Sequence, residues 1–229
     1  PNMPWDGTRL MYAVLEGDPP RIQAAQQLAG GVDIPILQPA FSPDGRYLSY
    51  VRNQGEWDQL ILRDLQDGSL DVLVEGAAIL RPAWIQGVRV HDWSLNNRHI
   101  YYLQTEAGIE NLDRVDVLTG EIERLDMTPY TSLARPAMSI DRQLALIASA
   151  PSISPRVIST QGDAVTIHAR STSESIPHAD LPTPYEINWK SSDGETVYGI
   201  YSPPTSSRFE GEGLPPVIVL IHGGPTSSN

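Results

Sequence analysis

The sequence predicts a mainly β chain, with a partial β-propeller of about four blades and then the first strands of a separate α/β domain. Two observations predict this order. Short strand-like segments recur at a fixed spacing through the first 170 or so residues, and an apolar run, Val217–Ile221, leads into two glycines near residue 229.

The repeat is visible without gaps when Phe41 is placed on Trp93, an offset of 52 residues. Weaker copies begin at Met3 and Met138, which gives about four units. Four-stranded units that recur every roughly 40 to 50 residues are typical of β-propellers, and an all-β sandwich is the alternative. The matched pairs are Ser42 and Ser94, Arg46 and Arg98, Tyr50 and Tyr102, Leu60 and Leu112, Asp64 and Asp116, Gly68 and Gly120, and Leu73 and Leu125.

Aromatic residues occupy equivalent places in two of the units. We expect these four to pack blade against blade: Phe41, Trp93, Tyr50 and Tyr102. Trp57 and Trp84 have no aligned aromatic partner, so we expect packing there too, with the lining of a channel as the alternative. The histidines lack metal-ligand spacing and are expected to be surface or packing residues: His91, His99, His168 and His178.

Composition excludes several classes of function. A net charge of −12 argues against a nucleic-acid partner, which needs clustered Lys and Arg. No apolar stretch approaches the roughly 18 to 20 residues that cross a bilayer, so no membrane partner is predicted. With no cysteine, the chain has no disulfide, thiolate metal site or cysteine nucleophile, and we predict neither a metal nor a cofactor. Compartment and oligomeric state stay open.

A stretch rich in Ser, Thr and Pro, residues 171–184, separates the repeats from the C-terminal segment and is typical of a connector. We therefore expect propeller blades over residues 1–175, a linker over 176–184, and the start of an α/β domain over 185–229.

The C-terminal segment begins with two alternating runs, Tyr185–Lys190 and Thr196–Tyr201, on either side of a Ser-Asp-Gly turn. This pattern predicts a β-hairpin. The apolar run Val217–Ile221 predicts a strand covered on both faces of a mainly parallel sheet. Gly223 and Gly224 then permit a tight turn with exposed backbone N–H groups, which can hold an oxyanion.

In this order, the Ser-Pro-Asp-Gly-Arg repeat, the Pro-rich hinge, the hairpin ending in Pro-Pro and the Pro-Val-Ile-Val-Leu-Ile-His-Gly-Gly-Pro segment resemble the prolyl oligopeptidase family of serine peptidases. The acylaminoacyl-peptidase-like and dipeptidyl-peptidase-like members are the most similar. The resemblance implies an α/β-hydrolase domain that cleaves short peptides through an acyl-enzyme, beneath a propeller that restricts access.

The resemblance also implies roles for three residues at the glycine turn. The backbone N–H of Gly224 would stabilise the oxyanion, while Gly223 permits the turn and is a second candidate donor. His222 would shape the turn and is not the triad histidine, because the triad of this fold follows the turn in the order Ser, Asp, His.

No GxSxG motif occurs in the 229 residues, so this chain alone is expected to be inactive. Two other functions stay open. An esterase or lipase of the same fold also has a glycine-rich turn after this strand. A non-catalytic propeller that binds peptides or proteins, similar to TolB, explains the repeats but leaves residues 185–225 unexplained.

Overall fold

The computed structural model describes residues 6–79, 87–162 and 164–221. Their regular structure is β, apart from one 3-10 turn at His178–Asp180. No helix among these residues is long and apolar enough to span a bilayer.

The N-terminal unit consists of two small antiparallel ladders. Strand β1 (Arg9–Tyr12) pairs with β4 (Gln26–Gly30), whereas β2 (Leu15–Glu16) and β3 (Arg21–Ile22) pair only with each other. Pro19-Pro20 between β2 and β3 supplies no ladder N–H, which keeps both strands short. The sequence predicted about four units, and the described residues contain three complete blades and this partial unit.

Three four-stranded antiparallel sheets come next, and in each the spatial order equals the chain order. The first blade contains β5 (Ile36–Phe41), β6 (Tyr47–Gln54), β7 (Trp57–Asp64) and β8 (Leu70–Ala77). The second contains β9 (His91–Trp93), β10 (His99–Glu106), β11 (Ile109–Asp116) and β12 (Ile122–Leu125). The third contains β13 (Ser132–Met138), β14 (Leu144–Ala150), β15 (Ile153–Gln161) and β16 (Ala164–Arg170). The predicted repeat is confirmed, because β10 and β11 begin and end 52 residues after β6 and β7.

The same offset relates the hydrogen bonds that close each blade. In the first blade the Ser42 hydroxyl accepts from the Tyr47 amide over 2.9 Å, and in the second Ser94 accepts from His99 over 2.8 Å. Arg46 forms an ion pair with Asp64, as Arg98 does with Asp116. The aspartate of the second pair also accepts from the amides of Leu118 and Thr119. In the first blade Asp64 thus joins the turn before β6 to the turn after β7. In the second blade Asp116 joins the turn before β10 to the turn after β11.

Apolar side chains from neighbouring units form the core. Leu60 and Leu62 of the first blade pack in one cluster with Val90, Ile100 and Val115 of the second. A second cluster joins the second blade to the third through Leu103, Leu112, Leu133, Leu146 and Ile158. A third, smaller cluster joins the first blade to the N-terminal unit through Ile36, Tyr50, Ile61, Leu10 and Ala29. The first and second blades are therefore each covered by the unit before and the unit after.

Three of the four aromatic residues expected between blades are buried there: Tyr50, Tyr102 and Trp93. The prediction for Phe41 is wrong, since its side chain is 55% exposed. Trp93 is covered by the first blade, whose Tyr47 ring stacks on it with centroids 6.3 Å apart. Phe41 occupies the position in the first blade that Trp93 occupies in the second. The N-terminal unit would therefore have to cover the Phe41 ring, and its short ladders do not. Trp57 is also exposed, and Trp84 lies outside the described residues.

A buried polar group joins the first and second blades. The indole Nε1 of Trp93 donates to Ser49 Oγ over 2.9 Å, and His91 Nε2 lies 2.9 Å from the same oxygen. His91 is buried, and its Nδ1 has no hydrogen-bond partner among the described residues. Burial, assisted by the charge of Arg89, lowers the pKa of His91 to about 4. The imidazole is therefore neutral between the blades at pH 7.

The predicted hairpin is confirmed with its predicted bounds, as β17 (Tyr185–Lys190) and β18 (Thr196–Tyr201). Its turn repeats the geometry of the blade turns, because the Ser191 hydroxyl donates to Asp193 and the Gly194 amide donates to the Ser191 carbonyl. Gly194 has a φ of 88°, which glycine adopts without strain. Residues 171–184, between β16 and β17, are named the connector.

The strand predicted at Val217–Ile221 is not formed. Its five side chains are 71–89% exposed and its backbone has no strand partner among the described residues. A strand covered on both faces needs a sheet to pair with, and β17 and β18 pair only with each other. The start of an α/β domain at residue 185 thus stays a prediction.

The aspartate of the repeated turn gives a first prediction. Partial burial opposes the charge of Asp116, but hydrogen bonds from the Thr119 amide and the Arg98 guanidinium outweigh it and lower its pKa to about 2. Because the pKa of Asp116 is lower in the fold than its ordinary value of 3.8, its ionised carboxylate stabilises the fold at pH values above 3.8. This contribution is lost as the pH falls towards 2. We expect Asp116→Asn to lower the melting temperature at pH 7, with the difference from the parent shrinking between pH 4 and about pH 2. The exposed Asp71→Asn is the control; equal losses in both variants would contradict the role of the turn.

The buried histidine gives a second prediction. Because the folded pKa of His91 is about 4 and its ordinary value is 6.5, the unfolded chain binds more protons between these values. Stability should therefore fall as the pH drops from 6.5 to 4, by on the order of 3 kcal/mol. His91→Gln, which keeps a nitrogen near Ser49, should remove that dependence in urea unfolding curves. The exposed His178→Gln should keep it; a parent protein equally stable at pH 4.5 and pH 7 would refute the assignment.

Candidate functional site

The three residues predicted at the oxyanion turn, His222, Gly223 and Gly224, lie outside the described residues. The described chain does hold the segments that lead towards them. These are the connector, the β17–β18 hairpin and the loop over residues 202–221. The loop is tied back to the connector, because Ser207 donates its hydroxyl to Asp180 over 2.7 Å.

Two serine–histidine pairs occur among the described residues, and the first cannot act as a nucleophile and base. Ser49 and His91 are both buried between blades, so no substrate reaches the serine oxygen. The serine oxygen also accepts from Trp93, and the orphaned Nδ1 of His91 has no carboxylate to orient the ring. The pair holds two blades together.

The second pair, on the third blade, is equally unsuited to catalysis. His168 Nε2 lies 2.8 Å from Ser159 Oγ, and the Ser159 hydroxyl donates to Gln143 over 3.0 Å. With its proton directed at the glutamine, the serine accepts from the imidazole, the reverse of what a general base requires. In residues 6–79, 87–162 and 164–221 we therefore find no serine triad, and these ranges hold no group of three potential metal ligands.

A cavity of about 930 Å³ lies between the third blade and the connector. Hydroxyl groups dominate its polar lining, among them those of Ser154 and Thr172. Its one arginine, Arg156, lies beside Glu174. Such hydroxyl groups can form hydrogen bonds with peptide groups, and no serine–histidine hydrogen bond occurs among the lining residues.

A smaller cleft of about 240 Å³ separates the second and third blades. Arg114 and Arg142 line it together with His99 and Tyr101. Although partial burial opposes its charge, contacts with Tyr101 and Glu123 raise the pKa of Arg114. Burial and the adjacent Arg114 charge lower the pKa of His99. The cleft is cationic, but the Glu123 ion pair already occupies Arg114.

Sequence reasoning did not identify Arg156, Arg170 and Glu174 as interacting residues. Counting outwards from the paired residues Gln161 and Ala164 at the turn would place Arg156 opposite Ala169. A register shift between Val157 and Ile158 places it opposite Arg170 instead, so the spacing gave no signal for this pair. Nothing in the spacing indicated that Glu174 would fold back over the pair.

No family model and no curated protein matches the chain. Among solved structures, puromycin hydrolase is 26% identical with a TM-score of 0.83, covering 94% of this chain and 33% of its own. A puromycin-hydrolyzing peptidase of Mycobacterium tuberculosis is 24% identical with a TM-score of 0.78, covering 92% and 32%. TolB from Acinetobacter baumannii, at 14% identity and a TM-score of 0.52, shares the fold over 79% of this chain and 44% of its own. The chain spans about a third of the length of the two peptidases, and its structure matches their propeller region.

Proposed function

We propose that this chain carries the later propeller blades, the connector and the first hairpin of a serine peptidase of the prolyl oligopeptidase family. The observation that carries the proposal is the extent of the match to puromycin hydrolase. Residues 1–170 make up about three-quarters of the chain, whereas the match covers 94% of it with a TM-score of 0.83. A match of this extent is larger than residues 1–170 alone would give, which supports the peptidase over a binding propeller.

The proposed substrates are short peptides and aminoacyl amides of the kind that puromycin represents. A serine beyond residue 229 would attack the carbonyl and form an acyl-enzyme, which water then hydrolyses. The blades would restrict entry to molecules small enough to pass between the propeller and the hydrolase domain. Folded proteins would be excluded.

Within this proposal Gly224 supplies a backbone N–H to the oxyanion, Gly223 permits the turn, and His222 shapes it. A fixed donor aimed at the developing charge contributes roughly 3 to 4 kcal/mol to a transition state in a site without water. The paired glycines support this role, because glycine lets a backbone amide approach a substrate closely.

The full-length product of the gene tests the proposal directly. We expect it to react with a fluorophosphonate serine probe and to release the amine from puromycin and from aminoacyl amides, while residues 1–229 alone do neither. Cleavage of simple esters with no cleavage of amides would favour the esterase alternative. Binding of peptides without reaction with the probe would favour a TolB-like binding propeller.

The oxyanion donor can be tested separately in the full-length protein. Gly224→Pro removes the backbone N–H, whereas Gly224→Ala keeps it. We expect the proline variant to lower kcat by about 100-fold or more relative to the alanine variant, with a much smaller change in KM. Equal kcat values in the two variants would show that this N–H does not contact the oxyanion.

A further inference from the structure

Two arginines face each other on the outer strands of the third blade. Arg156 on β15 pairs directly with Arg170 on β16 across the antiparallel ladder. Like charges in directly opposed positions destabilise a sheet unless a counter-charge lies between them. The sheet at this point therefore needs an anion.

Glu174 of the connector supplies that anion to both arginines. Its Oε1 accepts from the Arg156 guanidinium, and its Oε2 lies 3.3 Å from Arg170 Nε. Only 10% of the Arg156 side chain is exposed, and its guanidinium also lies 5.9 Å from the centre of the Tyr130 ring. A nearly buried guanidinium is hydrated little, so its pairing with a carboxylate matters more than that of a surface pair.

The connector turns back towards the blade to bring Glu174 to this position. Glu174 has a φ of 51°, a left-handed conformation that residues other than glycine rarely adopt. The preceding residues are also attached to β15, because the Ser171 amide donates to the Pro155 carbonyl and the hydroxyls of Ser154 and Thr172 are 2.9 Å apart. These neutral contacts hold residues 171 and 172, whereas the ion pairs hold residue 174.

We propose that Arg156 and Arg170 form a carboxylate-binding site on the third blade, and that Glu174 occupies it and latches the connector onto the blade. The latch fixes the path on which the chain leaves the third blade towards the β17–β18 hairpin. It also determines the shape of the 930 Å³ cavity, because one wall of that cavity is the blade and the other is the connector. Since two of the three side chains are partly exposed, salt weakens the latch.

Amide hydrogen exchange of the 229-residue chain tests the latch without any assay of activity, so its result is independent of the proposed peptidase function. Glu174→Gln removes the negative charge and keeps the shape of the side chain. The matched control is Glu121→Gln, an exposed glutamate of the second blade with no ion pair to a described residue.

At low ionic strength we expect the amides of residues 171–176 to exchange about tenfold faster in Glu174→Gln than in Glu121→Gln, a change that corresponds to about 1.4 kcal/mol. Amides of β6 and β7 in the first blade should exchange at the same rate in both variants. In 1 M salt the difference over residues 171–176 should shrink several-fold.

A second variant separates the latch from a general effect of charge. Arg170→Gln removes the repulsion and one ion pair, so Glu174→Gln should accelerate exchange less in that background than in the parent chain. Exchange within twofold of the control over residues 171–176 would overturn the proposal, as would equal acceleration in both backgrounds. Acceleration spread over the first blade would also overturn it, because Glu174 would then act on global stability.

Discussion

Apolar side chains project from both faces of the first and second four-stranded sheets, so the stability of these sheets depends on a neighbour that covers each face. Adjacent residues of β6 illustrate the constraint. Tyr50 packs towards the N-terminal unit, while Val51 packs towards the second blade. The hydrophobic effect therefore acts between units as much as within them, and the stacking of blades along the chain is its result.

Burial alone would let neighbouring blades slide, and polar contacts fix their relative positions. Gln38 of the first blade accepts from the Val90 amide over 2.7 Å, and Asp92 of the second accepts from the Met138 amide over 2.7 Å. Each contact satisfies a backbone N–H at or near the first strand of a blade. Because a hydrogen bond is directional, it holds the two sheets at one offset where an apolar contact would accept several.

The elements that sequence reasoning predicted well are those encoded by local pattern. The 52-residue offset located β6, β7, β10 and β11, and the alternating runs located both strands of the hairpin. The errors concern residues whose state depends on a distant partner. Phe41 matches Trp93 in sequence but lacks the covering ring that Tyr47 provides, and Val217–Ile221 lacks a sheet to join.

The candidate site shows the same division. The glycine turn was predicted from its composition, and it stays a prediction because its residues lie outside the described residues. By contrast, the roles of His91 and Glu174 gave no signal in the sequence, because each depends on groups brought together by folding. A buried imidazole and a carboxylate over two arginines can be recognised only once the strands that carry their partners are in register.

The exposed edge of β16 has a further consequence for how copies of the protein meet. This strand is the last of its sheet, and an edge with free backbone groups can recruit a strand from another molecule. At the end of that edge Arg156 and Arg170 share a single Glu174, which leaves a local charge of one positive unit. Two molecules that approached by this edge in antiparallel alignment would add charged side chains to an intermolecular sheet, a cost that disfavours the ordered aggregation to which open β-sheets are prone.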